Sequence, residues 1–193
     1  IELVQNNVVI ATTQTDVSGN YAFEGLLPGS YIVREVTPTG SVAVGSATID
    51  ATGQTSTSGF NADVDFANFR LGRISGTKTE DLDGQVGGTQ GAWTYGAVTI
   101  QLVQNNVVIA TTQTDASGNY AFENLLAGTY QVREVTPAGT TVVGLATVTT
   151  TGTTTSGFNA DVDFANFRLG RISGTKTEDL DGQVGGTQGA WTY

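Results

Sequence analysis

Three side chains in this sequence have the chemical types and the spacing to form a covalent bond with one another. Reading residues 73–80, 129–135 and 161–167 as strands, period-2 alternation sorts their side chains into faces. Ile74, Gly76 and Lys78 share one face, Tyr130, Val132 and Glu134 another, and Val162, Phe164 and Asn166 a third. The apolar members mark these faces as core, so Lys78, Glu134 and Asn166 point into an apolar interior, where polar groups are costly. Burial disfavours the ammonium and leaves a neutral amine, a nucleophile. A carboxylic acid in the same pocket keeps its proton, polarises the asparagine carbonyl and relays protons. Attack of the amine on the carboxamide would release ammonia and leave an amide between side chains. Two blander arrangements fit the same residues. One is a buried Lys78–Glu134 pair with Asn166 bonded to nearby backbone, and the other is a bulge that turns one member outward.

The elements that must carry this trio occur twice. Residues 1–38 recur with few substitutions at 100–137, and the run GFNADVDFANFRLGRISGTKTEDLDGQVGGTQGAWTY is identical at 59–95 and 157–193. A period of this length is a whole domain in tandem rather than a solenoid turn. The complete unit runs over 71–169. Residues 1–70 form a unit without its first strand, and 170–193 supply the first strand and loop of a following unit. Glu35 and Asn68 are the counterparts of Glu134 and Asn166, and the lysine counterpart is Lys176. The expectation is that 171–178 of one chain completes the open domain of the next, with a Lys176–Asn68 bond between chains assisted by Glu35. The absence of methionine reads as a fragment of, or window on, a longer polypeptide.

Within a unit the pattern is strand after strand. Residues 97–104 alternate, with Val98, Ile100 and Leu102 on one side, and Asn105-Asn106 turns the chain into 107–114. Asp115-Ala-Ser-Gly-Asn119 is a turn, and Asp16 and Asp115 are turn residues bonding their own backbone. Tyr120 and Phe122 point inward, 141–150 follows as a strand, and 161–167 closes the unit. Six or seven short strands with regular turn signals, and no helical period, predict an all-β, Ig-like sandwich.

The strings SGTKTEDLDG, TTQTDASGNYAFENLLAGTYQVREVTPAG and VDFANF resemble the Cna protein B-type superfamily, and within it the serine-aspartate-repeat B-like domain of bacterial surface proteins. The resemblance covers the full unit. It implies a prealbumin-like β-sandwich serving as a stalk or spacer module. It also implies, in many members, a covalent bond from a lysine on the first strand to an asparagine on the last, helped by a glutamate. In other members it implies calcium bound by the loop after the first strand. Here that loop keeps Asp81 and Asp83, and Asp179 and Asp181 in the second occurrence. Two carboxylates fall short of calcium's six to eight oxygens unless Asp63 and Asp65, or Asp161 and Asp163, lend theirs. Calcium is therefore the one cofactor left open, and a solvated turn is the favoured reading.

Composition excludes much else. The net charge of −10 with 8 basic residues argues against nucleic acid and anionic membrane. There is no cysteine and no histidine, hence no disulfide and no hydrolytic triad, so an enzyme is not expected. Trp93 and Tyr95 precede a strand in a glycine-rich loop and are expected to cap an open end of the sandwich or pack on a neighbour. The alternatives to a structural repeat of an extracellular bacterial filament or stalk, with its own copies as partners, are an adhesin module binding a host protein or glycan, and a calcium-dependent assembly unit. The loop GQVGGTQGAWTY is identical in both copies, which suits a spacer better than a recognition loop.

Overall fold

A computed structural model describes residues 1–51, 55 and 57–191, and every described element is a strand or a turn. The first unit holds β1 (Glu2–Gln5), β2 (Val8–Thr12), β3 (Ile32–Arg34), β4 (Ser41–Ala43), β5 (Thr48–Asp50) and β6 (Asn68–Arg70). The complete unit holds β7 (Gly72–Asp81), β8 (Gln90–Ala92), β9 (Thr99–Gln104), β10 (Val107–Gln113), β11 (Asn119–Leu125), β12 (Gln131–Glu134), β13 (Thr140–Val143), β14 (Thr147–Thr149), β15 (Asn159–Asp161) and β16 (Phe164–Arg168). A hairpin, β17 (Thr177–Asp179) and β18 (Gln188–Ala190), follows.

Two sheets face each other in the complete unit. One has the order β10-β9-β12-β14. The other has the order β11-β7-β16-β13, with β15 and β8 also paired to β7. The β9–β10 turn is tight because Asn105 and Asn106 both adopt positive φ, 51° and 63°, the left-handed pair that a two-residue hairpin needs. Strand β7 is the long central member, antiparallel to β11 and parallel to β15 and β16. Its even-numbered residues from Gly72 to Lys78 are buried and the intervening ones half-buried, as the alternation predicts. Ile74 is fully buried in a core with Trp93, Ile100, Leu102, Tyr120, Phe122, Val132 and Phe164.

The close approach of β7 to its neighbours depends on glycine. A Cβ on Gly76 would overlap the Val162 carbonyl and meet the Tyr120 hydroxyl, which itself donates to that carbonyl. Two runs expected as single strands each divide. Residues 141–150 split at Gly144, φ 99°, so that β13 pairs with β16 in one sheet and β14 with β12 in the other. Residues 161–167 split between β15 and β16 at Val162-Asp163, where the Asp163 Oδ1 accepts from the Thr77 N–H (2.7 Å) and hydroxyl (2.8 Å).

The first unit keeps the sheet β2-β1-β3-β5 but only β4 and β6 of the opposite one. Residues 20–26, the counterpart of β11, are not strand, because the central strand that would pair with them is not among 1–70. A groove of about 330 Å³ lies there, with Tyr21, Phe23, Phe60 and Val64 at its sides and Leu3 and Val33 on its floor. Tyr21 and Phe23 are half-buried, whereas Tyr120 and Phe122 are 4% and 5% exposed. The joint between units is short. Phe69 packs against the second core, the Arg70 N–H donates to Ser156 Oγ (2.9 Å), and the Gly157 N–H donates to the Arg70 carbonyl (2.8 Å).

Candidate functional site

Strands β7 and β16 run side by side with Phe164 opposite Lys78 and Asn166 opposite Glu80. Because alternate residues share a face, Lys78 and Asn166 rise on the same inward side, Asn166 one pleat further along. Glu134, at the end of β12, reaches them from the facing sheet. All three are buried, at 1%, 3% and 0% exposure for Lys78, Glu134 and Asn166. The trio expected from alternation is therefore one cluster.

Its polar bonding is incomplete. Lys78 Nζ donates to the Thr79 carbonyl (2.7 Å) and stands 3.5 Å from Glu134 Oε1, and it lies 4.5 Å from the centre of the Trp93 ring. Neither Glu134 oxygen and not Asn166 Oδ1 has a hydrogen-bond partner. Loss of water is the largest influence on both ionisable members. It lowers the Lys78 ammonium below the ordinary lysine value and raises the Glu134 carboxyl above the ordinary carboxylate value, the mutual attraction opposing but not cancelling it. Both shifts favour neutral partners, an amine and a carboxylic acid. Buried oxygens without donors are expensive, and a protonated Glu134 supplies the missing donor.

Two residues join the cluster that the alternation argument did not single out. Trp93, 3% exposed, covers the lysine while its indole N–H donates to the Gly96 carbonyl (2.8 Å). Tyr95 packs edge-on against it, donates to Glu80 Oε2 (3.0 Å) and lies under the Arg168 guanidinium. The pair thus caps one end of the sandwich, as expected, and Trp93 is not presented to solvent. Thr140 accepts a hydrogen bond from Asn166 Nδ2 (3.2 Å). It stands in a threonine-rich stretch, with no signal in the sequence to set it apart.

The counterpart residues of the open unit hold each other: Asn68 Nδ2 donates to Glu35 Oε1, both residues half-buried. Lys176 is elsewhere in this chain, exposed, 3.1 Å from the centre of the Trp191 ring. Its strand, 170–176, makes no sheet pairing, although GRISGTKTED at 170–179 is identical to β7.

The loop carboxylates do not fit calcium. Asp81 is buried and accepts from the Asp83 N–H (3.2 Å), the Gly84 N–H (2.5 Å) and Gln90 Nε2 (2.7 Å). Asp83 accepts from the N–H groups of Gln85 and Thr89, both at 3.0 Å. Those bonds hold the Asp83 carboxyl below its usual range. Asp179 and Asp181 repeat the pattern. The oxygens accept from the loop's own amide donors, and no cluster of three acidic, histidine or cysteine side chains occurs among the described residues. Asp163 Oδ1 is engaged by the Thr77 N–H and hydroxyl.

The chain is similar to known proteins in line with this architecture. The family model described as the SdrD B-like domain matches residues 1–87 and again 80–181. The serine-aspartate repeat-containing protein D of Staphylococcus aureus (strain Newman) is 35% identical over 176 residues, 82% of this chain and 13% of that protein. The bone sialoprotein-binding protein of Staphylococcus aureus is 34% identical over 168 residues, 80% of this chain and 14% of that protein. Among solved structures, the TIE protein of Bacillus anthracis aligns with a TM-score of 0.41 at 20% identity, covering 86% of this chain and 30% of that one. The chain thus spans a small part of the curated relatives it matches.

Proposed function

The chain belongs to the SdrD B-like domain family, and from that premise we propose that its units are load-bearing links of a stalk, each sealed by a lysine–asparagine bond. The family is one of structural surface domains, and its place is the bacterial cell surface or outside it. The single observation that carries the finer reading is the Lys78–Glu134–Asn166 cluster, buried, underbonded and biased toward neutral amine and neutral acid. The Lys78 amine adds to the Asn166 carboxamide carbon while Glu134 protonates the carbonyl oxygen. Glu134 then carries the proton shed by the lysine nitrogen to the leaving amide nitrogen, which departs as ammonia, and takes back the oxygen's proton as the carbonyl reforms. One C–N bond forms and one breaks, with no redox change.

The second part of the proposal is strand complementation. The groove in residues 1–70 has the flanks that β7 has in the complete unit, and it takes one strand of sequence GRISGTKTED, whichever polypeptide carries it. A copy of 170–179 presents Ile172 where Ile74 sits, Gly174 where Gly76 passes the tyrosine hydroxyl, and Lys176 beside Glu35 and Asn68. Strand addition of this kind supplies backbone hydrogen bonds and side-chain pockets together.

Intact mass after boiling in detergent tests both parts. The wild-type chain is expected about 17 Da lighter than its sequence mass, through loss of ammonia in the complete unit. It is also expected to form a ladder of detergent-resistant multimers. Lys78→Met removes the mass loss and keeps the ladder, and Lys176→Met does the reverse. An unshifted wild-type mass overturns the bond, and the absence of any ladder overturns bonding between copies.

A further inference from the structure

Asn166 can react only if its amide is turned the right way round. The oxygen must meet the acid that protonates it, and the nitrogen must be free to leave. We infer that Thr140 is the residue that fixes this orientation. Its hydroxyl donates to the Pro137 carbonyl at 2.7 Å, so its proton is committed and Oγ1 faces the amide as an acceptor. Of the two ends of a carboxamide only the NH₂ end donates. Asn166 Nδ2 takes that partner at 3.2 Å in competition with the Glu134 carboxyl group, which it also reaches, and Oδ1 is left as a buried oxygen with no donor. Thr140 is half-buried whereas Asn166 is fully buried. The leaving nitrogen therefore stands on the side of the pocket nearest solvent, a route out for ammonia.

The open unit shows the alternative. There the amide is turned so that Asn68 Nδ2 donates to Glu35 Oε1, and the glutamate is only half-buried. An amide whose nitrogen faces the glutamate presents the wrong end to the acid. In the complete unit two features favour the productive orientation. Burial favours the protonated form of Glu134, a poorer acceptor, and Thr140 offers a second acceptor to the amide nitrogen. Thr140 acts through Asn166, its hydroxyl bonding only the Pro137 carbonyl and the Asn166 amide among the described residues, so it is a positioning residue.

This inference rests on the proposed Lys78–Asn166 bond, and its test separates the two. The full chain is synthesised in a cell-free system, quenched at timed intervals, and weighed intact. Thr140→Val keeps the shape and removes the acceptor, and Thr140→Ala does so by truncation. Thr140→Ser keeps the acceptor. Valine and alanine are expected to slow the loss of ammonia about tenfold, the rate equivalent of one neutral hydrogen bond, with serine within a few-fold of wild type. Each substitution is repeated on Lys78→Met, where no bond forms, and the thermal midpoint reports folding. Unchanged midpoints with slowed chemistry support positioning. If valine does not fold, the alanine–serine pair decides. Wild-type rates in both valine and alanine overturn the role of Thr140 and leave the bond standing. A wild-type chain that never loses mass overturns the bond, and Thr140's role with it.

Discussion

Replacing Lys78 with methionine isolates what the proposed bond contributes to stability. Methionine keeps an unbranched chain of similar length in an apolar pocket, and removing the cation pushes the buried Glu134 further toward its neutral acid form. The bond from residue 78 to residue 166 closes a loop of roughly 90 residues, and the chain-entropy relation for such a cross-link gives about 4–5 kcal/mol. For a domain of this size each kcal/mol moves the midpoint about 4–8 °C, so Lys78→Met is expected to melt roughly 20–35 °C below wild type. Scanning calorimetry on both proteins, with intact mass on the same samples, makes the measurement. The higher transition of the wild type should fall to the lower position, and the open unit should be unaffected. A wild-type sample that has lost ammonia yet melts within a few degrees of Lys78→Met would refute the loop-entropy reasoning.

Three further outcomes follow from the same geometry. Bond formation requires neutral Lys78 and protonated Glu134, so its rate should rise as pH climbs through the lowered lysine pKa and fall as pH passes the raised glutamate pKa. Timed mass measurements give the profile, and a rate still climbing toward the ordinary lysine value of 10.5 would mean the amine is not desolvated. Gly76→Ala places a methyl group against the Val162 carbonyl and the Tyr120 hydroxyl. On the Lys78→Met background, denaturant unfolding should show a loss of about 2–4 kcal/mol, and a loss below about 1 kcal/mol would contradict the close strand approach. Calcium should stabilise nothing, since the Asp81 and Asp83 carboxylates are engaged by the loop's own donors. A midpoint that rises several degrees with millimolar calcium and falls with chelator would show a site built from other oxygens.

The inward face of each strand was legible because the alternation is carried by unambiguous residues: Ile74 before Lys78, Val132 before Glu134, Phe164 before Asn166. What alternation cannot show is where a strand leaves one sheet for the other. Residues 141–150 read as one strand, yet the backbone at Gly144 turns and sends β13 and β14 to opposite layers. At Val162-Asp163 the run breaks within one sheet, since β15 and β16 both pair with β7 and the aspartate bonds Thr77. These breaks depend on partners in other strands, 86 residues away in the case of Asp163 and Thr77, which local pattern does not encode. The parallel pairing of β7 with β16 is of the same kind, and it is what brings Lys78 and Asn166 together. Thr140 was illegible for a different reason. Its role comes from the Pro137 carbonyl that fixes its proton, and a threonine among threonines carries no trace of that.

The position of the cluster matters for a stalk as much as its chemistry does. In a stalk of the proposed kind, tension would enter the complete unit at Gly72, the start of β7, and leave at Arg168, the end of β16. These strands are neighbours and run parallel, so pulling on opposite ends shears all their hydrogen bonds at once rather than opening them one by one. The bond proposed between Lys78 and Asn166 joins these same two strands. It gives a covalent path from Gly72 along β7, across the sheet and out through the last residues of β16, and the chain between them carries no load. A bond between any other pair of strands would leave part of the sandwich in the line of force. The short joint continues the path, since Phe69 is already packed in the next core when β7 begins. Placing the nucleophile on the entering strand and the amide on the leaving one is therefore what a link under tension requires, with the acid on the facing sheet, where it can act without bearing force.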